Sequence, residues 1–196
     1  IYLNDKQQSI AIDYREKAPA MASRNMYLDQ DGNAQQQLSR FHGLAIGVPG
    51  TVMGLELARK KYGTLTHQAL IAPALKLAKE GIIVTPDLAK SLNQAQQRLS
   101  KWPSSKQIFF KADGSSYQAG ERLKQLDLAN SLQLISEQGE KVFYQGEIAQ
   151  KIAQSVQQAG GIISAHDMKN YNAVEREPVK GNYRGYQVLS MPPPSS

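Results

Sequence analysis

Cysteine is absent from all 196 residues. Disulfides and thiolate zinc sites are thereby excluded. The compartment stays open, because a cell-envelope protein can do without disulfides. No run approaches the roughly 18 apolar residues that a membrane span needs. The stretch from Ile1 to Ile10 is polar, so no signal peptide is read there. Histidine is scarce. His42, His67 and His166 lie far apart, none has a histidine four residues away, and no H-E-x-x-H occurs. They read as surface or locally bonded histidines, with no metal site. A Gly-x-Ser-x-Gly elbow is missing too.

Two candidate ligand loops fail on their own chemistry. Asp29-Gln30-Asp31-Gly32-Asn33 resembles the start of a calcium loop, but its glycine comes too early and Arg40 stands where the closing glutamate belongs. It reads as an Asp-Gly turn. The glycine-spaced stretch from Gly43 to Thr51 lacks a Gly-Lys-Ser/Thr ending, and Pro49 removes an N–H where a phosphate wants donors. It reads as a turn followed by a helix, with Pro49 in the first turn. The net charge of +6 is scattered, and the longest basic run, Arg59-Lys60-Lys61, falls in the last turn of that helix. Nucleic acid is not the expected partner.

What is present is enough for a packed core: 41% hydrophobic and 20% charged residues in regular patterns. Ser9 to Arg15 alternates as a strand ended by Pro19. The spacing predicts helices from Pro49 to Tyr62, with Glu56 and Lys60 as an i,i+4 pair, and from Thr66 to Glu80, with a buried stripe of Leu70, Ile71, Ala74, Leu75, Leu77 and Ala78. A third helix starts after Thr85 and fades before Trp102-Pro103. Ile108-Phe109-Phe110 with Ala112-Asp113-Gly114 suggests a short hairpin. Helices follow over Leu126–Ser136 and Glu147–Ala159, then a short one from Ser164 to about Tyr171. Val179–Gly181 and Tyr186–Leu189 pair across a turn. Helices dominate, the few strands lie near the chain ends, and no internal linker interrupts what reads as one incomplete domain over 1–196. The strands near residues 12 and 188 need partners that the chain barely supplies, as in a piece of a larger α/β protein.

Arg15 leaves two readings open. On its strand it can pair with Glu16, Asp13 or another carboxylate, as most arginines do. It can also act as a planar fork that holds a carboxylate in two parallel hydrogen bonds, which lysine cannot copy. At the other end, Pro192-Pro193-Pro194 forbids helix and central strand, and the expectation is that such a segment runs on into something. Ser195 and Ser196 have no assignable base and read as backbone-shaping residues.

Eight separated segments, in order, carry a resemblance. They are Asp13-Tyr14-Arg15-Glu16 with Ala18-Pro19, then Gly47-Val48-Pro49-Gly50, Tyr62-Gly63-Thr64 and Pro73-Ala74 with Leu77-Ala78 and Gly81. Phe143-Tyr144 with Gly146 and Ile148-Ala149 follows, then Gly160-Gly161 with Ile163-Ser164, Asp167 and Tyr171. Tyr183-Arg184-Gly185-Tyr186 and Met191 to Ser196 close the series. Together they resemble the interior of a γ-glutamyltranspeptidase large subunit over essentially the whole chain.

That resemblance implies an α/β (α+β) fold, here the mostly helical part of an αββα N-terminal-nucleophile hydrolase sandwich. It implies a precursor that cleaves itself and a small subunit whose new N-terminal threonine attacks γ-glutamyl amides such as glutathione, its α-amine serving as base. The ester formed passes to water or to an amino acid or peptide, without metal or organic cofactor. Arg15 matches the arginine that binds the glutamyl α-carboxylate. A periplasmic or secreted parent is implied as well. The threonine and the small subunit would lie outside these residues, so the chain alone is expected to be inactive. Two alternatives stand beside this: a related acylase of the same superfamily, such as a cephalosporin acylase or a capsule depolymerase, and a non-enzymatic helical binding module.

Overall fold

A computed structural model describes residues 1–193. Pro194, Ser195 and Ser196 lie outside them, and so does the expectation that the two serines shape the backbone. The chain opens with two-residue strands β1 (Tyr2–Leu3) and β2 (Gln8–Ser9), paired antiparallel, and then β3 (Ala11–Asp13). The strand expected from Ser9 to Arg15 is therefore divided. Ile10 closes the first ladder through Ile1. Asp13 ends β3 because its own carboxylate accepts the N–H of Arg15 two residues on, a turn that competes with a ladder.

The Asp29 turn forms as expected: Asp29 Oδ1 accepts the N–H groups of Asp31 and Asn33, and Gly32 takes φ 82°. Helix α1 (Gln36–Phe41) follows, without having been anticipated. In α2 (Thr51–Tyr62) the cap is Gly50, so Pro49 precedes the helix instead of occupying its first turn. The basic run sits in the last turn, where it complements the exposed carbonyls. Helix α3 (His67–Glu80) starts where expected, Thr66 Oγ1 accepting from Ala69 N. Its expected stripe is corrected: Ala78 is buried, but Leu70, Ala74 and Leu77 stay exposed. Periodicity marks an apolar face without saying what covers it.

Strand β4 (Ile82–Ile83) precedes α4 (Pro86–Leu99), capped by Thr85 as expected. The hairpin expected around Ile108 gives way to helix α5 (Pro103–Phe109). Pro103, with its fixed φ, opens it, Phe110 N–H reaches back to Lys106, and only a single bridge joins Phe110 to Ser116. Strand β5 (Arg122–Leu123) pairs antiparallel with β4, so one strand pair lies in mid-chain. Then come α6 (Leu126–Gln138), α7 (Glu140–Tyr144), α8 (Glu147–Gln158) and α9 (Ala165–Lys169), and finally β6 (Val174–Arg176), β7 (Val179–Tyr183) and β8 (Tyr186–Ser190). Helices predominate, as the sequence led us to expect.

Two compact units emerge: Leu65–Glu137, and Ile1–Thr64 together with the described residues from Gln138 on. In the first, Val84, Leu92, Phe110, Leu123 and Ala129 are buried. In the second, α8 turns Ile148, Ala149, Ala153 and Val156 inward at helical spacing. Ala149 and Val156 meet Val48, Tyr144, Ile163, Met168 and Tyr171 in one core. Strands β3 and β6 pair antiparallel beside it, Asp13 opposite Val174 and Ala11 opposite Arg176. Strands β7 and β8 make a hairpin whose two turn residues, Arg184 and Gly185, both take positive φ (49° and 82°). That is the I′ geometry that matches strand twist. All ten of its strand residues are exposed.

Candidate functional site

Within the second unit, β3 runs out at the wall of an open cleft of about 530 Å³. One side is the turn from Ile12 to Glu16; the other is Gly47, Pro49, Gly50 and Thr51, where α2 begins. Met191, just before the prolines, closes one end.

Arg15 stands on this wall with its side chain about half exposed (48%). Its Nε lies 3.5 Å from Glu16 Oε1, so the carboxylate pairing considered from sequence does occur, and at the surface it is weak. The backbone around it is held far more firmly. Asp13 Oδ1 accepts the Arg15 N–H at 3.2 Å. Asp13 Oδ2 accepts from Arg176 Nε at 2.8 Å, a diagonal cross-strand pair between β3 and β6. The Arg176 hydrogen bond, with Arg15 N–H and the charge of Arg176 adding to it, holds the Asp13 carboxyl below its ordinary range against the upward push of burial. On the far side, the Tyr171 hydroxyl donates to the Arg15 carbonyl at 2.8 Å. Lys17 and Val48 then exchange both backbone hydrogen bonds, tying the turn to the opposite wall.

Two tyrosines support both walls. The rings of Tyr144 and Tyr171 stack nearly parallel (12°) with centroids 5.7 Å apart. The Tyr144 hydroxyl donates to the Pro49 carbonyl at 2.9 Å and accepts from Met53 N at 3.1 Å. Met53 is the third residue of α2, so its N–H is among those a helix leaves orphaned. Glycine at the cap has no side chain to satisfy it, and Tyr144 does so from the core. Burial pushes the Tyr171 hydroxyl up to about 12 and raises that of Tyr144 as well, so both remain protonated donors at neutral pH. A Cβ on Gly50 would overlap the Tyr14 carbonyl and the Tyr171 hydroxyl, so only glycine lets the two walls approach.

The other sequence candidates lie elsewhere. His42 Nδ1 accepts from Leu44 N, and His166 bonds Asn170. Among the described residues no group of three His, Cys, Asp or Glu could hold a metal ion. Glu56 and Lys60 do pair, at 3.5 Å, but Glu56 is buried and its nearer partner is Arg59, in two parallel bonds of 2.8 and 2.6 Å. Sequence reading singled out Arg15 and gave its structural supports no role. Asp13, two residues before it, carried a local signal, that of an Asx turn. Tyr171 stood in a resembling segment without a role, and Arg176 had no signal, because 156 and 163 residues separate each from its partner.

This helix-rich α/β architecture is that of the N-terminal-nucleophile hydrolases. The chain belongs to the γ-glutamyltranspeptidase family, whose model matches residues 1–196. It is 49% identical over 187 residues to the glutathione hydrolase proenzyme of Escherichia coli, covering 95% of this chain and 32% of that protein. A crystal structure of Helicobacter pylori γ-glutamyltranspeptidase superposes with a TM-score of 0.96 at 46% identity, over all of this chain and 56% of the other. The Bacillus anthracis transpeptidase CapD superposes with a TM-score of 0.79 at 34% identity, over all of this chain and 58% of the other. The chain thus spans about a third of the length of the curated relatives it matches. Membership in an enzyme family favours the enzymatic reading over a helical binding module.

Proposed function

We propose that this chain is part of a γ-glutamyltransferase and hydrolase acting on γ-glutamyl amides such as glutathione, in which Arg15 binds the α-carboxylate of the glutamyl group. The observation that carries the reading is Arg15 itself: a half-exposed guanidinium on the wall of an open cleft, in a chain of this family. Two parallel N–H···O bonds from the guanidinium fix the α-carboxylate. The γ-carbonyl is then aimed at a threonine supplied by a small subunit of the same precursor. The threonine oxygen adds to the γ-carbon while its proton passes to the α-amine. The C–N bond breaks, the leaving amine takes that proton, and a γ-glutamyl ester remains. Water or an amino acid attacks the ester and restores the threonine. The contribution of Arg15 is orientation: it turns a loose encounter into a near-attack geometry. We place the parent protein in the periplasm or outside the cell, as its family membership suggests.

Steady-state kinetics of the full-length protein with a γ-glutamyl anilide test this. Arg15→Ala should lower kcat/KM by about a hundredfold or more, roughly 3 kcal/mol. Arg15→Lys should recover only part of the loss, since an ammonium lacks the fork. A wild-type kcat/KM in Arg15→Ala would remove Arg15 from the site. A glutaryl anilide, which keeps the α-carboxylate and lacks only the α-amino group, should turn over poorly; preference for it would move the protein to the acylases.

A further inference from the structure

We propose that Tyr171 and Asp13 are positioning residues for the Arg15 guanidinium, acting through its backbone. The inference rests on the reading of Arg15 just given and deepens it. A long side chain on a turn directs its head group only as well as its Cα–Cβ bond is held, and that bond is set by the two flanking peptides. Here both polar groups of Arg15's own backbone are taken by side chains. The N–H goes to Asp13 and the carbonyl to Tyr171.

Neither grip is loose. Asp13 is itself clamped by Arg176 across the strand pair. Tyr171 is 2% exposed and stacks on Tyr144, whose hydroxyl is fixed at both Pro49 and Met53. The turn that carries the cation is therefore referenced to β6 on one side and to the aromatic pair in the core on the other. Gly50 provides the space that lets the Tyr171 hydroxyl reach the Arg15 carbonyl. A tyrosine serving only as core filler could be replaced by phenylalanine without effect on substrate. A tyrosine that sets the direction of Arg15 could not.

The test uses the full-length processed enzyme and a γ-glutamyl anilide. Tyr171→Phe keeps the ring and the stack and removes one donor. It should raise KM about tenfold, the loss expected of one well-formed hydrogen bond, and leave kcat within about twofold. Inhibition by free glutamate, which carries the same α-carboxylate, should weaken by a similar factor. Asp13→Asn loosens the other grip without entering the core and should shift KM and glutamate inhibition in the same direction, more weakly. In an Arg15→Ala background neither substitution should add to the loss, because residues acting through one group are not additive. Unchanged KM in both variants overturns the inference, as does a full additional loss on top of Arg15→Ala. The reading of Arg15 is judged separately, by Arg15→Ala alone; if that variant keeps wild-type kcat/KM, both fall.

Discussion

Gly54 shows how close packing near the cleft is decided one atom at a time. A Cβ there would overlap the ring of Tyr14. Alanine in a helix interior is favoured over glycine by about 1 kcal/mol, while forcing an extra carbon into a filled site costs about 1–3 kcal/mol. The ring is fixed by the turn that bears Arg15, so the clash outweighs the propensity. Gly54→Ala should lower stability by about 1 kcal/mol, read from the urea midpoint. Asp13 supplies an acid-side signature. Its carboxyl is lowered in the folded state by Arg176, so its contribution is complete above the ordinary value of 3.8 and is lost as pH falls through the lower folded value. Unfolding midpoints measured from pH 6 downward should fall less steeply at the acid end in Asp13→Asn.

At the scale of elements, the short helix α9 is held by its cap more than by its length. Ser164 Oγ accepts from Asp167 N, and Asp167 Oδ2 accepts from Ser164 N, a reciprocal capping box. Burial pushes the Asp167 carboxyl up, but its bonds to the Ser164 hydroxyl and N–H and to Ala20 N hold it below its ordinary range. One residue therefore starts the helix and pins the segment after Pro19 to it. Ser164→Ala should cost about 1 kcal/mol in thermal unfolding.

Such caps explain what was legible. Thr66, Thr85 and Ser164 announced helix starts. Elsewhere competing signals won. The strand at Ser9–Arg15 was shortened by an Asp turn, the Ile108 hairpin was overruled by the proline before it, and Leu70, Ala74 and Leu77 of the α3 stripe stay exposed. Of the proposed site, Arg15 could be singled out from its motif; Tyr171 stood in a motif too, but its bond to the Arg15 carbonyl, like that of Arg176 to Asp13, exists only in the folded chain.

For the whole molecule, the order of the units along the chain matters. In sequence, the unit Leu65–Glu137 is one continuous stretch that follows Thr64 and precedes Gln138 of the other. Its first joint, residues 63–66, is exposed at every position and lies outside helix and strand. Limited proteolysis of this chain should therefore cut first there, as mass spectrometry of the early fragments would reveal. A first cut inside α8 would contradict the burial of its inner face.

The stack of Tyr144 on Tyr171 has a mechanical consequence. One hydroxyl grips the Pro49 wall and the other grips the Arg15 wall, so the two jaws share a hinge pin. Neither can gape on its own while the rings remain face to face. Wear in the distant packing around Met168 or Ile163 would then register as slack in the bite, long before the molecule as a whole came apart.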